Sequence, residues 1–120
     1  MIENHLDLRQ LLRTDSLTGV GNMIGFFENL YSRLENDPNS PFSIISIDIM
    51  DLHEINKNFG HTVGDSTIRW FALVISEETK GEVFRLGGDE FAVILSKPEQ
   101  LSSVMSKLYK RLNLEAARHI

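Results

Sequence analysis

Residues 82–86 (EVFRL) and 90–95 (EFAVIL) are two strand-like runs separated by Gly87-Gly88-Asp89. A glycine pair between such runs admits the backbone twist of a tight turn, so the segment is expected to form a β-hairpin. Two strands alone are marginal in water and need a larger sheet or a helical cover. The chain supplies both. Residues 42–49 (FSIISIDI) are short, β-branched and apolar apart from serines and one aspartate. They predict a central buried strand with Asp48 at its carboxyl end.

Around these strands, apolar residues recur at helical spacing. Ile2, Leu6, Leu8, Leu11 and Leu12 suit a short amphipathic helix. Met23, Ile24, Phe26, Phe27, Leu30, Tyr31 and Leu34 predict a helix to about Glu35. Residues 52–59 form a third, closed by Gly60-His61. Gly64-Asp65-Ser66 opens a fourth, which carries Ile68, Trp70, Phe71, Leu73, Val74 and Ile75 and breaks at Lys80-Gly81. Ser96 and Pro98 mark the start of the last helix, with Leu101, Val104, Met105, Leu108 and Leu112 on one face. Residues 15–22 and 36–41 read as loops. This order predicts an α+β fold, a mixed antiparallel sheet flanked by helices. A central strand wants neighbours on both edges, so a further strand is expected beyond the last helix.

With 120 residues, one domain is expected, and 42% hydrophobic content suffices for a core. The absence of cysteine excludes disulfide frameworks, thiolate zinc sites and cysteine nucleophiles. Twelve basic against 17 acidic residues give a net charge of −5. Such a chain is a poor non-specific binder of nucleic acid or anionic membrane, so neither partner is expected. A phosphate-rich ligand would need cations or a local site. No run has the length of a membrane span, and the mixed charges of the first residues do not resemble a secretory signal. A cytoplasmic location is expected.

Three acidic positions stand out: Asp48 at a strand end, and Asp89 and Glu90 at the hairpin tip. If the hairpin pairs beside the first strand, the three converge, and hard oxygen ligands suit magnesium with substrate phosphates. That chemistry fits phosphoryl or nucleotidyl transfer. The plainer alternative is a helix-capping aspartate and a solvated turn pair. Gly87 and Gly88 permit close approach of a ligand, or simply a tight turn. Asn56 and Asp65 suit a donor-rich nucleobase edge, or helix capping. Arg85 could brace the acidic tip, touch phosphate, or form a surface cross-strand pair. His5, His53, His61 and His119 have no mutual metal-like spacing and read as structural or exposed. Trp70, Phe71 and the methionines read as core.

Arg85-Leu86-Gly87-Gly88-Asp89-Glu90-Phe91 contains the motif of a known family, and it is not alone. Asp15-Ser16-Leu17-Thr18-Gly19 resembles that family's opening D-x-L-T-G. Asp48-Ile49, Ile55-Asn56, Gly60-His61 and Gly64-Asp65 resemble its middle block at matching spacing. From about Thr14 to Leu112 the chain resembles a GGDEF domain, the family of diguanylate cyclases. The resemblance implies a fold similar to the adenylyl cyclase and polymerase palm, with residues 14–120 as the domain and residues 1–13 as a linker helix. It implies condensation of two GTP into cyclic di-GMP with release of pyrophosphate, in a homodimer, with magnesium or alternatively manganese. It implies Asp48, the Ile49 carbonyl, Asp89 and Glu90 at the metal, and Asp89 and Glu90 as the catalytic carboxylates. Asn56 and Asp65 would read guanine, Gly87 and Gly88 would lie against the phosphates, and His53 would stand at the phosphate side. A sensor or dimerisation domain upstream is also implied.

The chain departs from the family pattern at several positions. Met23 stands where arginine is usual, His53 in place of a phosphate-contacting lysine, Met50 for an aspartate, and Lys57 for an aspartate. Glu78-Thr79-Lys80-Gly81 lacks the R-x-x-D product-inhibition motif, so feedback through that site is not expected. Against the family pattern the chain is expected to lack the last strands and helix, so that the C-terminal part of the domain is incomplete. Two rivals to cyclase activity follow: a weak or inactive module that binds GTP or a partner as a regulatory domain, and a purely structural fragment.

Overall fold

The structure, a computed structural model, describes the backbone of residues 2–119 and the side chains of residues 8–112. The elements in order are α1 (Ile2–Arg13), α2 (Met23–Asn36), β1 (Ser43–Asp48), α3 (Leu52–Phe59), α4 (His61–Thr79), β2 (Glu82–Arg85), β3 (Glu90–Leu95) and α5 (Leu101–His119), with a 3-10 turn at Pro98–Gln100 leading into α5. The α+β architecture is the one expected. The hairpin forms as the glycine pair predicts, with β2 antiparallel to β3.

The sheet order is β1-β3-β2, with both pairings antiparallel. Among the described residues the middle strand is therefore β3, with β1 beside it. β3 is buried from Phe91 to Leu95, whereas Ile44, Ser46 and Asp48 of β1 are exposed. Among the described residues, β1 pairs only with β3. Its apolar run reads as two-sided burial because Ile44 is an isoleucine, yet Ile44 is 45% exposed on the face that α2 leaves partly uncovered.

Alternation along the strands splits the apolar residues between two faces. One face carries Ile45, Phe91, Val93, Leu95 and Val83 against Ile68, Ala72 and Ile75 of α4 and Val104 and Leu108 of α5. The other carries Phe84, Ala92 and Ile94 against Phe26 of α2. Phe26 and Phe84 meet edge to face at 5.5 Å between centroids, a favoured aromatic geometry. The described methionines are not core: Met23, Met50 and Met105 are 49%, 80% and 46% exposed. Trp70 and Phe71 are half-buried, with Phe71 packed against the larger cluster. Ile2, Leu6 and His5 of α1, and His119 of α5, have side chains outside the described residues.

Residues 14–22 are more structured than a plain loop. Gly21 N–H donates to the Val83 carbonyl at 3.0 Å, and Arg85 N–H to the Gly21 carbonyl at 2.8 Å. This bridge is parallel and lies along the outer edge of β2. A Cβ at Gly21 would stand 2.4 Å from the Phe84 ring, so only glycine allows the approach. Asn22 then caps α2, its Oδ1 accepting from Gly25 N–H at 3.0 Å, as Asn at an N-cap does. Its Nδ2 donates to the Leu12 carbonyl at the end of α1. Among the described residues, no helix is long and apolar enough to cross a membrane.

Candidate functional site

The register of β1 on β3 decides what stands at the end of the sheet. Asp48 lies directly opposite Glu90. One step further, Ile49 N–H donates to the Asp89 carbonyl at 2.8 Å. Hydrogen bonding at that step makes Asp48–Glu90 a non-hydrogen-bonded pair, the kind whose side chains lie closest. The hairpin thus brings Asp48, Ile49, Asp89 and Glu90 together. Asp48 is exposed, not the buried carboxylate its strand suggests; among the described residues β1 pairs on one side only. Asp89 and Glu90 are also exposed. Among the described residues, no three acidic or histidine side chains already stand as a metal-holding cluster. The donors are nonetheless hard oxygens, suited to a hard cation. Like charges directly opposite on a sheet repel, and a cation between them removes that cost.

The turn itself is closed by Leu86 N–H on the Glu90 carbonyl at 2.8 Å. Neither Gly87 nor Gly88 takes a positive φ. A Cβ at Gly88 would meet nothing within 4 Å, and one at Gly87 only the Glu90 carboxylate at 3.9 Å. Nothing within the described chain requires glycine at either position.

Asn56 and Asp65 come from consecutive helices joined through one residue. Gly60 takes φ +90°, a conformation that favours glycine, and its N–H donates to the Asn56 carbonyl at 2.9 Å. α4 starts at His61, three residues before the expected Gly64. Its cap is Gly60, without a side-chain bond, so Asp65 lies inside the first turns and is not a cap. The early start packs Gly64 against α3, where a Cβ would stand 1.6 Å from Asn56 Oδ1. That oxygen is buried and finds no donor among the described residues. A buried acceptor without a partner needs a reason, and a ligand donor is one. His53, in the first turn of α3, is exposed, as is His61.

Arg85 is neither a surface cross-strand pair nor a free phosphate contact. Its guanidinium joins Asp15 at 3.1 Å, with both side chains 17% exposed, and also reaches the Gly88 carbonyl. Asp15 is the residue that pattern reading passes over as loop. Its position at the head of the D-S-L-T-G block, and arginine immediately before the glycine turn, are the signals that point to it. A shallow depression of about 380 Å³ beside this pair is lined by Asp15, Asn22, Met23, Ile24, Arg85, Leu86 and Gly87. None of Asp48, Asp89, Glu90, Asn56 and Asp65 lines it.

Comparison with known proteins gives the family. The family model described as diguanylate cyclase, GGDEF domain matches residues 12–119. Response regulator PleD of Caulobacter vibrioides is 38% identical over 102 residues, covering 78% of this chain and 22% of its own. Diguanylate cyclase DgcN of Escherichia coli is 30% identical over 112 residues, covering 83% of this chain and 28% of its own. The crystal structure of the coiled coil and GGDEF domain of DgcB from Caulobacter crescentus, in complex with c-di-GMP, superposes with a TM-score of 0.76 at 25% identity, covering 89% of this chain and 60% of that one. The chain spans about a fifth of the length of several curated relatives it matches. With the match running over residues 12–119, the chain belongs to the GGDEF domain family.

Proposed function

We propose that this domain binds GTP with a divalent cation, magnesium or alternatively manganese, and supplies one half of a diguanylate cyclase site. Two such domains, each holding one GTP, face each other as a homodimer. The 3′-hydroxyl of each nucleotide attacks the α-phosphate of the other. Two phosphodiester bonds form, and two pyrophosphates and two protons leave. The observation that carries this reading is the acidic cross-strand pair Asp48–Glu90 beside Asp89.

Asp48, the Ile49 carbonyl, Asp89 and Glu90 are the groups to hold the cation. When bound, it supplies the positive charge that this acidic chain otherwise lacks next to a triphosphate. Asp89 is the carboxylate to take the proton of the attacking hydroxyl, and Glu90 shares the acidic site. The unpartnered Asn56 Oδ1 supports guanine binding, because guanine's N1–H and amino group are donors. Asp65 offers a second acceptor one residue beyond Gly64. Gly87 and Gly88, which the chain's own packing does not require, leave room for phosphates.

A second reading is a module that binds GTP without turnover. The departure at His53 favours it: an exposed imidazole is a weaker phosphate partner than the lysine usual there. Concentrated protein incubated with GTP and magnesium, followed by chromatography for cyclic di-GMP, separates the two. Product from the parent and none from Glu90→Ala supports the cyclase. Nucleotide binding by calorimetry with no product supports the second reading, and no binding at all overturns both.

A further inference from the structure

The Arg85 guanidinium stands between two segments 70 residues apart in sequence. Its Nε and Nη2 donate to the Gly88 carbonyl at 3.3 and 3.0 Å. Its Nη1 donates to Asp15 Oδ1 and Oδ2 at 3.1 and 3.4 Å. Asp15 is itself held, with Oδ2 accepting from Thr18 N–H at 3.0 Å and from the Thr18 hydroxyl at 2.7 Å. The loop behind it is closed by Asp15 N–H on the Val20 carbonyl at 2.7 Å. This pair is better shielded than Arg13–Glu28, whose side chains are 41% and 50% exposed. The arginine fork is engaged on both sides, Nε and Nη2 on one acceptor and Nη1 on the other, an arrangement a lysine amine cannot reproduce.

The consequence lies in the next peptide unit. A trans peptide is planar, with its C=O and N–H on opposite sides. Fixing the Gly88 carbonyl toward Arg85 therefore turns the Asp89 N–H to the far side of the turn. Two successive glycines would otherwise let that plane rotate freely. We propose that Arg85, backed by Asp15, is a positioning residue that sets the Gly88–Asp89 peptide plane and so presents the Asp89 N–H and carboxylate to the cation–triphosphate of the bound nucleotide. The assignment of a nucleotide at this turn rests on the function proposed above; the peptide-plane lock does not.

The test uses the full chain as parent, Arg85→Lys, and the charge swap D15R/R85D. Without nucleotide, the Gly88 carbonyl and Asp89 amide resonances are expected to shift and broaden in Arg85→Lys, while those of Val93 and Leu95 stay in place. Unmoved Gly88 and Asp89 resonances overturn the proposal. With Mg-GTP, Arg85→Lys, which keeps the charge but not the fork, is expected to lose affinity about tenfold, the scale of a lost charged hydrogen bond. The swap is expected to lose it as well and to melt below the parent, because an arginine at position 15 cannot accept from the Thr18 N–H and hydroxyl. A swap that binds Mg-GTP as tightly as the parent shows a merely structural ion pair and also overturns it. If the swap does not fold, Arg85→Lys carries the affinity comparison, because it keeps the charge. A parent that binds no Mg-GTP defeats the nucleotide reading, and the resonances then decide the positioning role alone.

Discussion

Gly64 is the residue at which folding and binding separate most clearly. The three nearest atoms that a Cβ there would meet all belong to Asn56, with Oδ1 at 1.6 Å, Cγ at 2.8 Å and Nδ2 at 3.5 Å. An amide at the end of a side chain can rotate away. Rotation would also release Oδ1 from burial without a donor, a condition that costs about 1–3 kcal/mol. Alanine in a helix is favoured over glycine by a further increment of about 1 kcal/mol. Gly64→Ala is therefore expected to melt no lower than the parent. The same rotation removes Asn56 from the place where guanine would meet it, so Mg-GTP affinity is expected to fall about tenfold. Differential scanning calorimetry and titration calorimetry on one preparation check both halves. A variant that melts lower and binds as well would mean that Gly64 serves only α3–α4 packing.

Among the elements, α4 ends in an unusual way. Lys80 takes φ +50° and ψ +21°, and its N–H donates to the Ser76 carbonyl at 3.2 Å. Helices commonly end on a residue in this left-handed conformation, usually glycine, because a Cβ is crowded there. Lys80→Gly should relieve that crowding, less the extra freedom glycine has when unfolded, for a net gain of about 0.5–1 kcal/mol. Thermal melting should then rise by about 2–6 °C. No rise would place the strain elsewhere. The Lys80-Gly81 break was legible in the sequence, but not which of the two turns left-handed; the glycine rule points to Gly81 and the chain uses Lys80. Helices α2, α4 and α5 were legible because each packs apolar residues at a 3.6 spacing against the sheet, whereas Leu8, Leu11 and Leu12 of α1 are exposed. The start of α4 was not, since His61-Thr62-Val63 carries no capping side chain and Gly60 alone turns the chain. Among the described residues β1 pairs on one side only, which its sequence does not reveal, because an apolar strand looks the same at an edge as in the middle. The convergence of Asp48, Asp89 and Glu90 could be stated only conditionally, since it depends on which strand the hairpin joins. Asp15–Arg85 was invisible to local pattern, because no spacing rule links positions so far apart.

Across the whole molecule, the acidic end of the sheet takes its order from β3. Phe91 and Val93 are fully buried, and Ala92, Ile94 and Leu95 are at most 3% exposed. Phe91 follows Glu90 directly and pairs with Ile47 on β1 and Arg85 on β2. One side chain thus sits in the core shared by α4 and α5 while its backbone neighbours carry Glu90 and the Arg85 brace. Total stability for a domain of this size is about 5–15 kcal/mol, and Phe→Ala in a closed core costs about 3–5 kcal/mol. Phe91→Ala is expected to shift the urea midpoint sharply downward. Ile44→Ala, on the exposed side of β1, should move it by no more than about 0.5 kcal/mol equivalent. The two variants also separate two sources of order at the site. If β3 packing holds the carboxylates in register, Phe91→Ala should broaden the Asp48, Asp89 and Glu90 resonances in conditions where the chain is still mostly folded, and Ile44→Ala should leave them sharp. Equal broadening in both would mean that β1, rather than the buried middle strand, sets the register on which the site depends.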